Sequence, residues 1–374
     1  MEWHDGWLVL IIFAGLCLLS MAWTLLMAPG FHVRDKHVLI SGATKGIGLA
    51  IAVKYAQAGA RLSLVARSMK RLEHAKQEIL ARCEGQNDSS TIFLCVCDIT
   101  VAQQVESTIE NANAFHGRVT DHVVHAAVAA TAGCAYSQDL ARMYKETDVT
   151  YFGAVHLFKS AVPAMIKAQA RGNLVIVSNV RALTSPAGSS AFSGSLFALR
   201  GLAESLRQKA LLQCPVSIVL NNRLCPFVDA NSNECIQYGI AVSMYCPGSV
   251  PLNTASIHSS YAAIPPTMTA TKEPATPVPG ADELSVDFTR MHDDVSTTTY
   301  DAAAKSFVDG LRFGYFMHTN SWSGFCLHVL GAGVTPRKNT AFEFVLLFFM
   351  IPYFEALRFL HDRRARTAQA TSLL

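Results

Sequence analysis

Charge is scarce in this chain of 374 residues: Asp, Glu, Lys and Arg make up only 16% of it against 51% apolar residues, and the net charge is +3. So weak a basic balance, with no cationic stripe interleaved with aromatics, argues against a nucleic-acid partner. The 10 cysteines are scattered. No C-x-x-C pair and no Cys/His metal spacing occurs, so no metal site is expected. Only Cys95 and Cys97 lie close together, and they read as buried strand residues. A disulfide framework is not expected, which favours a reducing compartment for the main domain.

Apolar sequence, by contrast, is plentiful at the two ends. Gly6 to Met27 is an uncharged apolar run, long enough at about 1.5 Å per residue to span a hydrocarbon core of ~30 Å. Trp7 and Trp23 lie near its ends, Glu2 and Asp5 precede it, and Arg34 and Lys36 follow it. An anchor with the following domain on the cytosolic side fits this asymmetry. The competing reading is a cleaved signal peptide, against which stand the acidic leading flank and the lack of a small-residue cleavage site. Near the C-terminus, Phe344 to Phe354 is apolar, broken by Pro352 and followed by the basic His361–Arg366 tail. It is too short to cross a bilayer. It reads either as an interfacial or re-entrant segment, with the tail on anionic headgroups, or as a buried core helix. The expected organisation is an anchor at 1–34, a main domain at 35–335 and a membrane-associated segment with its tail at 336–374.

Within the main domain, the apolar run Val38–Ser41 reads as a buried strand. It feeds into Gly42-Ala43-Thr44-Lys45-Gly46-Ile47-Gly48 and then a helical pattern over Leu49–Ala58. Glycines in such a turn let the backbone approach a pyrophosphate, which then rests on the free N–H groups of the helix start. A second strand, Leu62–Ala66, ends at Arg67. An acidic residue there would bond a ribose 2′-OH; an arginine suits a 2′-phosphate. With Lys45 and Arg71 converging on the same place, NADPH is the expected cofactor, solvated surface charge being the plainer alternative. Asp98, at the end of a strand Ile92–Cys97, is placed to accept from the adenine amino group. Further strands are expected at Val123–Ala127, Leu174–Ser178, Ile240–Tyr245 and Phe325–Leu330, and helices at Ala102–His116, Val155–Ala168 and Ala302–Phe313. That alternation predicts an α/β domain with a doubly wound parallel sheet.

The glycine turn, the Leu64–Arg67 strand end, the run Phe197–Glu204 and the Cys246-Pro247-Gly248-Ser249-Val250 turn together resemble the short-chain dehydrogenase/reductase superfamily. The resemblance covers roughly Lys36 to Gly248, and within the superfamily it points to 3-ketodihydrosphingosine reductase. It implies a Rossmann-type fold and NADPH-dependent reduction of a long-chain lipid ketone on the cytosolic face of the endoplasmic reticulum membrane. Gly42, Thr44, Lys45, Gly46, Ile47, Gly48, Arg67, Arg71, Asp98, Pro247 and Gly248 would hold the cofactor. A homodimer, paired through the helix that normally carries the catalytic tyrosine, is also expected on resemblance alone.

The catalytic pattern departs from the superfamily at every position. No Tyr-x-x-x-Lys occurs anywhere in the chain. The tyrosine position is Phe192 and the lysine position Leu196; the serine position is Asn179, and the asparagine on the preceding helix corresponds to Thr150. His125-Ala126-Ala127-Val128 stands where the superfamily has Asn-x-Ala-Gly. Loss of a positioned acid costs roughly 10²–10⁴-fold in rate. Ser178 and Asn179 are the remaining candidates to donate to a developing oxyanion; Asn179 reads equally as a strand-end residue satisfied by nearby backbone. Three functions are therefore weighed: a working reductase; a catalytically impaired pseudoenzyme that binds NADPH and acts as a regulatory or scaffold subunit at the membrane; and a lipid-binding module without nucleotide, against which the glycine turn, Arg67 and Asp98 count. Two further departures are an insertion at 213–237 and a mobile loop at 262–295, whose Pro/Thr/Ala-rich part, Ala262–Gly280, reads as a lid or as a disordered insertion.

Overall fold

The computed structural model describes residues 30–83, 89–130, 138–170, 172–185, 189–208, 240–248 and 298–331, with isolated positions between 15 and 26 and between 343 and 351. The insertion at 213–237, the stretch at 262–295 and the basic tail lie outside the described residues.

Seven parallel strands form one sheet in the order β3-β2-β1-β4-β5-β6-β7. They are β1 (His37–Ser41), β2 (Arg61–Ala66), β3 (Ile92–Val96), β4 (His122–His125), β5 (Asn173–Val177), β6 (Ala241–Tyr245) and β7 (Met317–His318). The helices between and after them are α1 (Gly46–Gln57), α2 (Met69–Arg82), α3 (Ala102–His116), α4 (Leu140–Thr147), α5 (Gly153–Lys167), α6 (Ser190–Gln208), α7 (Tyr300–Arg312) and α8 (Trp322–Gly331).

Parallel strands are covered on both faces, so they read as continuous apolar runs, as Val38–Ile40 and Leu174–Val177 do. Alternation along each strand sorts its side chains into two cores. Leu39, Val123, Leu174 and Ile176 pack under α3, α5 and α6. Val38, Ile40, Val124, Val175 and Val177 pack under α1, α2 and α7. The chain winds outward from β1 through β2 to β3, then returns to the other side of β1 with β4. The carboxyl ends of β1 and β4 therefore form a topological switch point, where such sheets open a crevice.

The expected strands lie within a residue or two of the observed ones, with one exception. Phe325–Leu330 is not a strand but part of α8; the last strand is the two-residue β7. A short apolar run fits strand or helix equally well by pattern. What decides here is Ser321, whose hydroxyl accepts from the Gly324 backbone N–H at 3.0 Å as a helix cap does.

α4, a π turn at Asp148–Phe152 and α5 run on as one helix, Leu140–Lys167. Among the described residues it alone is long and apolar enough to cross a membrane by length and composition, yet α5 buries Ala154, Leu157, Phe158 and Ala161 in the sheet core. It is a core helix. At the N-terminal run, Gly15, Leu19, Ala22 and Leu26 are helical, and Leu19 and Leu26 are 68% and 79% exposed. In the C-terminal segment Glu343, Leu346, Leu347, Met350 and Ile351 are helical; Glu343 is buried and Ile351 exposed.

Candidate functional site

The turn after β1 is shaped by its glycines. Gly42 has φ +75°, and a Cβ there would stand 2.7 Å from the Ala127 backbone nitrogen. Gly48 packs so closely that a Cβ would run into the Gly42 carbonyl. Gly46, at φ +57°, opens α1. No side chain caps α1 and its first turn holds no acidic residue. The first-turn N–H groups thus form an uncompensated positive end, suited to an anion.

This turn is the floor of a cavity of about 360 Å³ at the switch point. Of the residues assigned to the cofactor, Gly42, Thr44, Lys45, Gly46, Ile47, Gly48, Arg67, Arg71, Asp98 and Pro247 all line it. Gly248 does not. It is held beside the cavity instead, its N–H donating to Asn320 Oδ1 at 2.8 Å and its Cα packed against the Ser321 side chain. Lys45 has its ammonium pKa lowered, first by desolvation and then by the neighbouring charge of Arg71. Two cations close enough to repel one another at a cavity wall favour binding of a multiply charged anion. Asp98 is fixed at the end of β3: its Oδ1 accepts from the Thr100 backbone N–H at 3.1 Å and hydroxyl at 2.8 Å, and its own N–H donates to Gln104 Oε1 at 2.9 Å.

Of the four positions expected to depart from the superfamily pattern, Phe192 and Asn179 line the cavity and Leu196 and Thr150 do not. Phe192 lines the cavity, yet it is only 2% exposed and belongs to the sheet core. Leu196 is fully buried and does not line the cavity. The two continue into Leu199 and Ala203 as the buried stripe of α6, at the spacing of a helix face. Asn179 lines the cavity, but its Oδ1 accepts from the Arg181 N–H at 3.0 Å and caps a short 3₁₀ turn, Val180–Ala182. Ser178 also lines the cavity. It lies in β5 parity with Leu174 and Ile176, on the Phe192 side of the sheet, and its buried hydroxyl has no hydrogen-bond partner among the described residues.

Thr150 is fully buried and does not line the cavity. It sits in the π turn, where the Gly153 N–H reaches back to the Asp148 carbonyl. Its hydroxyl accepts from the Ala129 N–H at 3.2 Å and donates to the Ala129 carbonyl at 3.4 Å. Its carbonyl is engaged by His125 Nε2 at 3.0 Å, and His125 Nδ1 meets the Ser41 hydroxyl at 3.0 Å. A carbonyl only accepts, so Nε2 carries the proton and Nδ1 accepts from Ser41. Burial lowers the His125 pKa to about 4, so the imidazole is neutral. A buried bridge therefore ties the end of β1, just before the glycine turn, to the helix beside the cavity. Both polar groups of Thr150 are thereby committed to protein partners.

Sequence reasoning missed Tyr300, which lines the cavity next to Gly46. No local motif marks it. It also missed Asn320 behind the Pro247–Gly248 turn.

Comparison with known proteins agrees with this architecture. The chain is 33% identical over 187 residues to a hydroxysteroid 11-beta-dehydrogenase 1-like protein of Xenopus tropicalis, covering 50% of this chain and 63% of that one. It is 33% identical over 195 residues to the 3-ketodihydrosphingosine reductase of Bos taurus, covering 51% and 57% respectively. The matches thus span about six-tenths of these relatives' own length. A short chain dehydrogenase from Burkholderia phymatum, solved in complex with NAD, superposes with a TM-score of 0.59 at 19% identity over 77% of this chain and 90% of that one, a likeness of fold. Residues 36–219, just under half of the chain, match the family described as short chain dehydrogenase.

Proposed function

We propose that this protein is a membrane-associated, NADPH-binding reductase for a long-chain lipid ketone of the 3-ketosphinganine type, with its main domain on the cytosolic face of the endoplasmic reticulum membrane. The observation that carries this reading is the pairing of the uncapped glycine turn with Lys45, Arg67 and Arg71 around one cavity. The N–H groups of Gly46, Ile47 and Gly48 would hold the pyrophosphate, the three cations a 2′-phosphate, and Asp98 the adenine amino group. Pro247 and Ala126 would border the nicotinamide. When bound, NADPH supplies a hydride to a ketone carbon. Ser178 and the Asn179 amide are polar side chains that line the cavity with Phe192 and could donate to the ketone oxygen. No side-chain acid occupies the position of Phe192, so the product's proton would come from water, at a rate reduced roughly 10²–10⁴-fold. Gly6–Met27 would anchor the chain, the segment after residue 336 would lie at the membrane, and α6 would pair two copies.

One observation favours a second reading. Phe192 and Leu196 are built into the core rather than merely substituted at a cavity wall. A protein that binds NADPH without turnover, as a regulatory or scaffold subunit, would have this arrangement.

One experiment separates the two. The full chain in detergent is titrated with NADPH by fluorescence, then given 3-ketosphinganine while NADPH oxidation is followed. Turnover that depends on the ketone supports the reductase. Binding without turnover leaves the second reading. Absence of NADPH binding sinks both.

A further inference from the structure

Tyr300 reaches the glycine turn from far along the chain. From the point where a Cβ on Gly46 would sit, its Cε1 is 3.5 Å away, its Cζ 3.7 Å and its hydroxyl oxygen 3.8 Å. The outer edge of the ring, hydroxyl included, leans over the residue that opens α1, and Tyr300 lines the same cavity.

Its position is held from several sides. The Thr299 side chain caps α7 by accepting from the Ala302 N–H at 3.3 Å. Asp301 pairs with Arg82 on α2 at 3.5 Å. The buried Tyr245 hydroxyl donates to the Ala303 carbonyl at 2.9 Å. Deeper in the same seam Phe307 meets Tyr55 of α1 edge-on, with ring centres 6.1 Å apart. The ring is thus placed by packing of α7 on α1, not by chance exposure of a loop.

The turn beneath offers backbone N–H groups and no acidic side chain. An anion seated there would present acceptor oxygens toward the ring edge, and a phenol is a donor to such oxygens. We propose that Tyr300 forms the outer wall of the phosphate cradle and that its hydroxyl donates a hydrogen bond to the pyrophosphate of the bound dinucleotide. This rests on the cofactor-binding reading above, but not on turnover and not on the choice between NADPH and NADH, since both carry the pyrophosphate.

The test uses the full chain in detergent, wild type and Tyr300→Phe, titrated with NADPH, NADH and adenosine 2′-monophosphate. Tyr300→Phe keeps the ring and removes the donor, so binding of NADPH and NADH should weaken by the same factor, about tenfold, as expected for a bond to a charged acceptor. Adenosine 2′-monophosphate has no pyrophosphate and should bind unchanged, and apo thermal unfolding should stay where it was. If Tyr300→Phe binds NADPH within about twofold of wild type, or loses adenosine 2′-monophosphate equally, the assignment to the pyrophosphate is wrong. If wild type binds both dinucleotides and Tyr300→Phe binds them equally well, Tyr300 fails while the cofactor reading stands. If wild type binds neither, both fall together.

Discussion

Placing a lysine at Leu196, the position that the resemblance pairs with the superfamily's lysine, tests how far this side of the fold is committed to packing. Leu196 is fully buried, packed with Phe192, Leu199 and Ala203, and not on the cavity wall. Leu196→Lys therefore places an amine in an apolar core. The lost apolar burial costs about 1.5–3 kcal/mol. At pH 7 an amine of ordinary pKa ~10.4 that must lose its proton to stay buried costs a further ~4–5 kcal/mol. A total of about 5.5–8 kcal/mol rivals the whole stability of a domain, about 5–15 kcal/mol. At roughly 2–4 °C per kcal/mol for a domain of this size, melting should fall by well over 10 °C. Leu196→Met, which keeps volume and apolarity, should cost less than about 1.5 kcal/mol. The penalty has a pH signature. The unfolded chain holds the proton and the folded one does not, so the loss shrinks by about 1.4 kcal/mol for each unit the pH is raised toward 10. Thermal melts of both variants at pH 7 and 9 measure it. If Leu196→Lys melts within a few degrees of Leu196→Met at pH 7, the position opens on the cavity or solvent and the reasoning is refuted.

Two other outcomes follow from the same geometry. Acid should destabilise the domain: buried His37 and His125 have their pKa values lowered, chiefly by burial, to about 3 and about 4. An unfolded histidine titrates near 6.5, so the stability is intact above that pH and lost as pH falls toward the folded values, by about 2 kcal/mol per histidine at pH 5. Urea unfolding at pH 7.5 and 5.0 reads this, and His125→Asn should remove its share of the slope; an unchanged slope contradicts the buried neutral assignment. At the cavity mouth, Lys45→Ala and Arg71→Ala should each weaken NADPH about tenfold or more while leaving NADH nearly unaffected, because a charge-assisted phosphate contact is lost. Equal losses for both dinucleotides, measured by fluorescence titration, would place those cations away from a 2′-phosphate.

Much of the fold was legible because its determinants are local. Runs such as Val38–Ser41 and Leu174–Val177 are apolar on both faces, which parallel strands under two helix layers require. The glycine turn declares itself in seven consecutive positions, Gly42–Gly48. The one misread element, Phe325–Leu330, is a short apolar run whose identity is set by the Ser321 cap, a signal present in the sequence but weaker than the apolar pattern beside it. The site was only half legible. Tyr300 meets Gly46 from far along the chain, where α7 packs on α1, and His125 finds Ser41 and Thr150 at separations of 84 and 25 residues. No spacing rule joins such partners; tertiary packing does.

That difference bears on what was lost. On the proposed reading, dinucleotide binding would rest largely on backbone, on N–H groups freed by glycines and a helix start, so it would survive wherever strand, turn and helix survive. Proton delivery would need side chains from α4–α5, β5 and α6 aimed at one point. In this chain each of those side chains has a structural occupation instead. Phe192 and Leu196 extend the α6 stripe, Asn179 caps a 3₁₀ turn, and Thr150 is bound to Ala129 and His125. Replacing any one of them would break a packing or capping contact without completing a catalytic set, since the others would stay committed. A single substitution should therefore fail to raise turnover, and Phe192→Tyr alone is the sharpest case. Its hydroxyl would enter the cavity wall without a cation at Leu196 to lower its pKa, so any measured rise in ketone-dependent NADPH oxidation in that variant would show that the acid alone was missing.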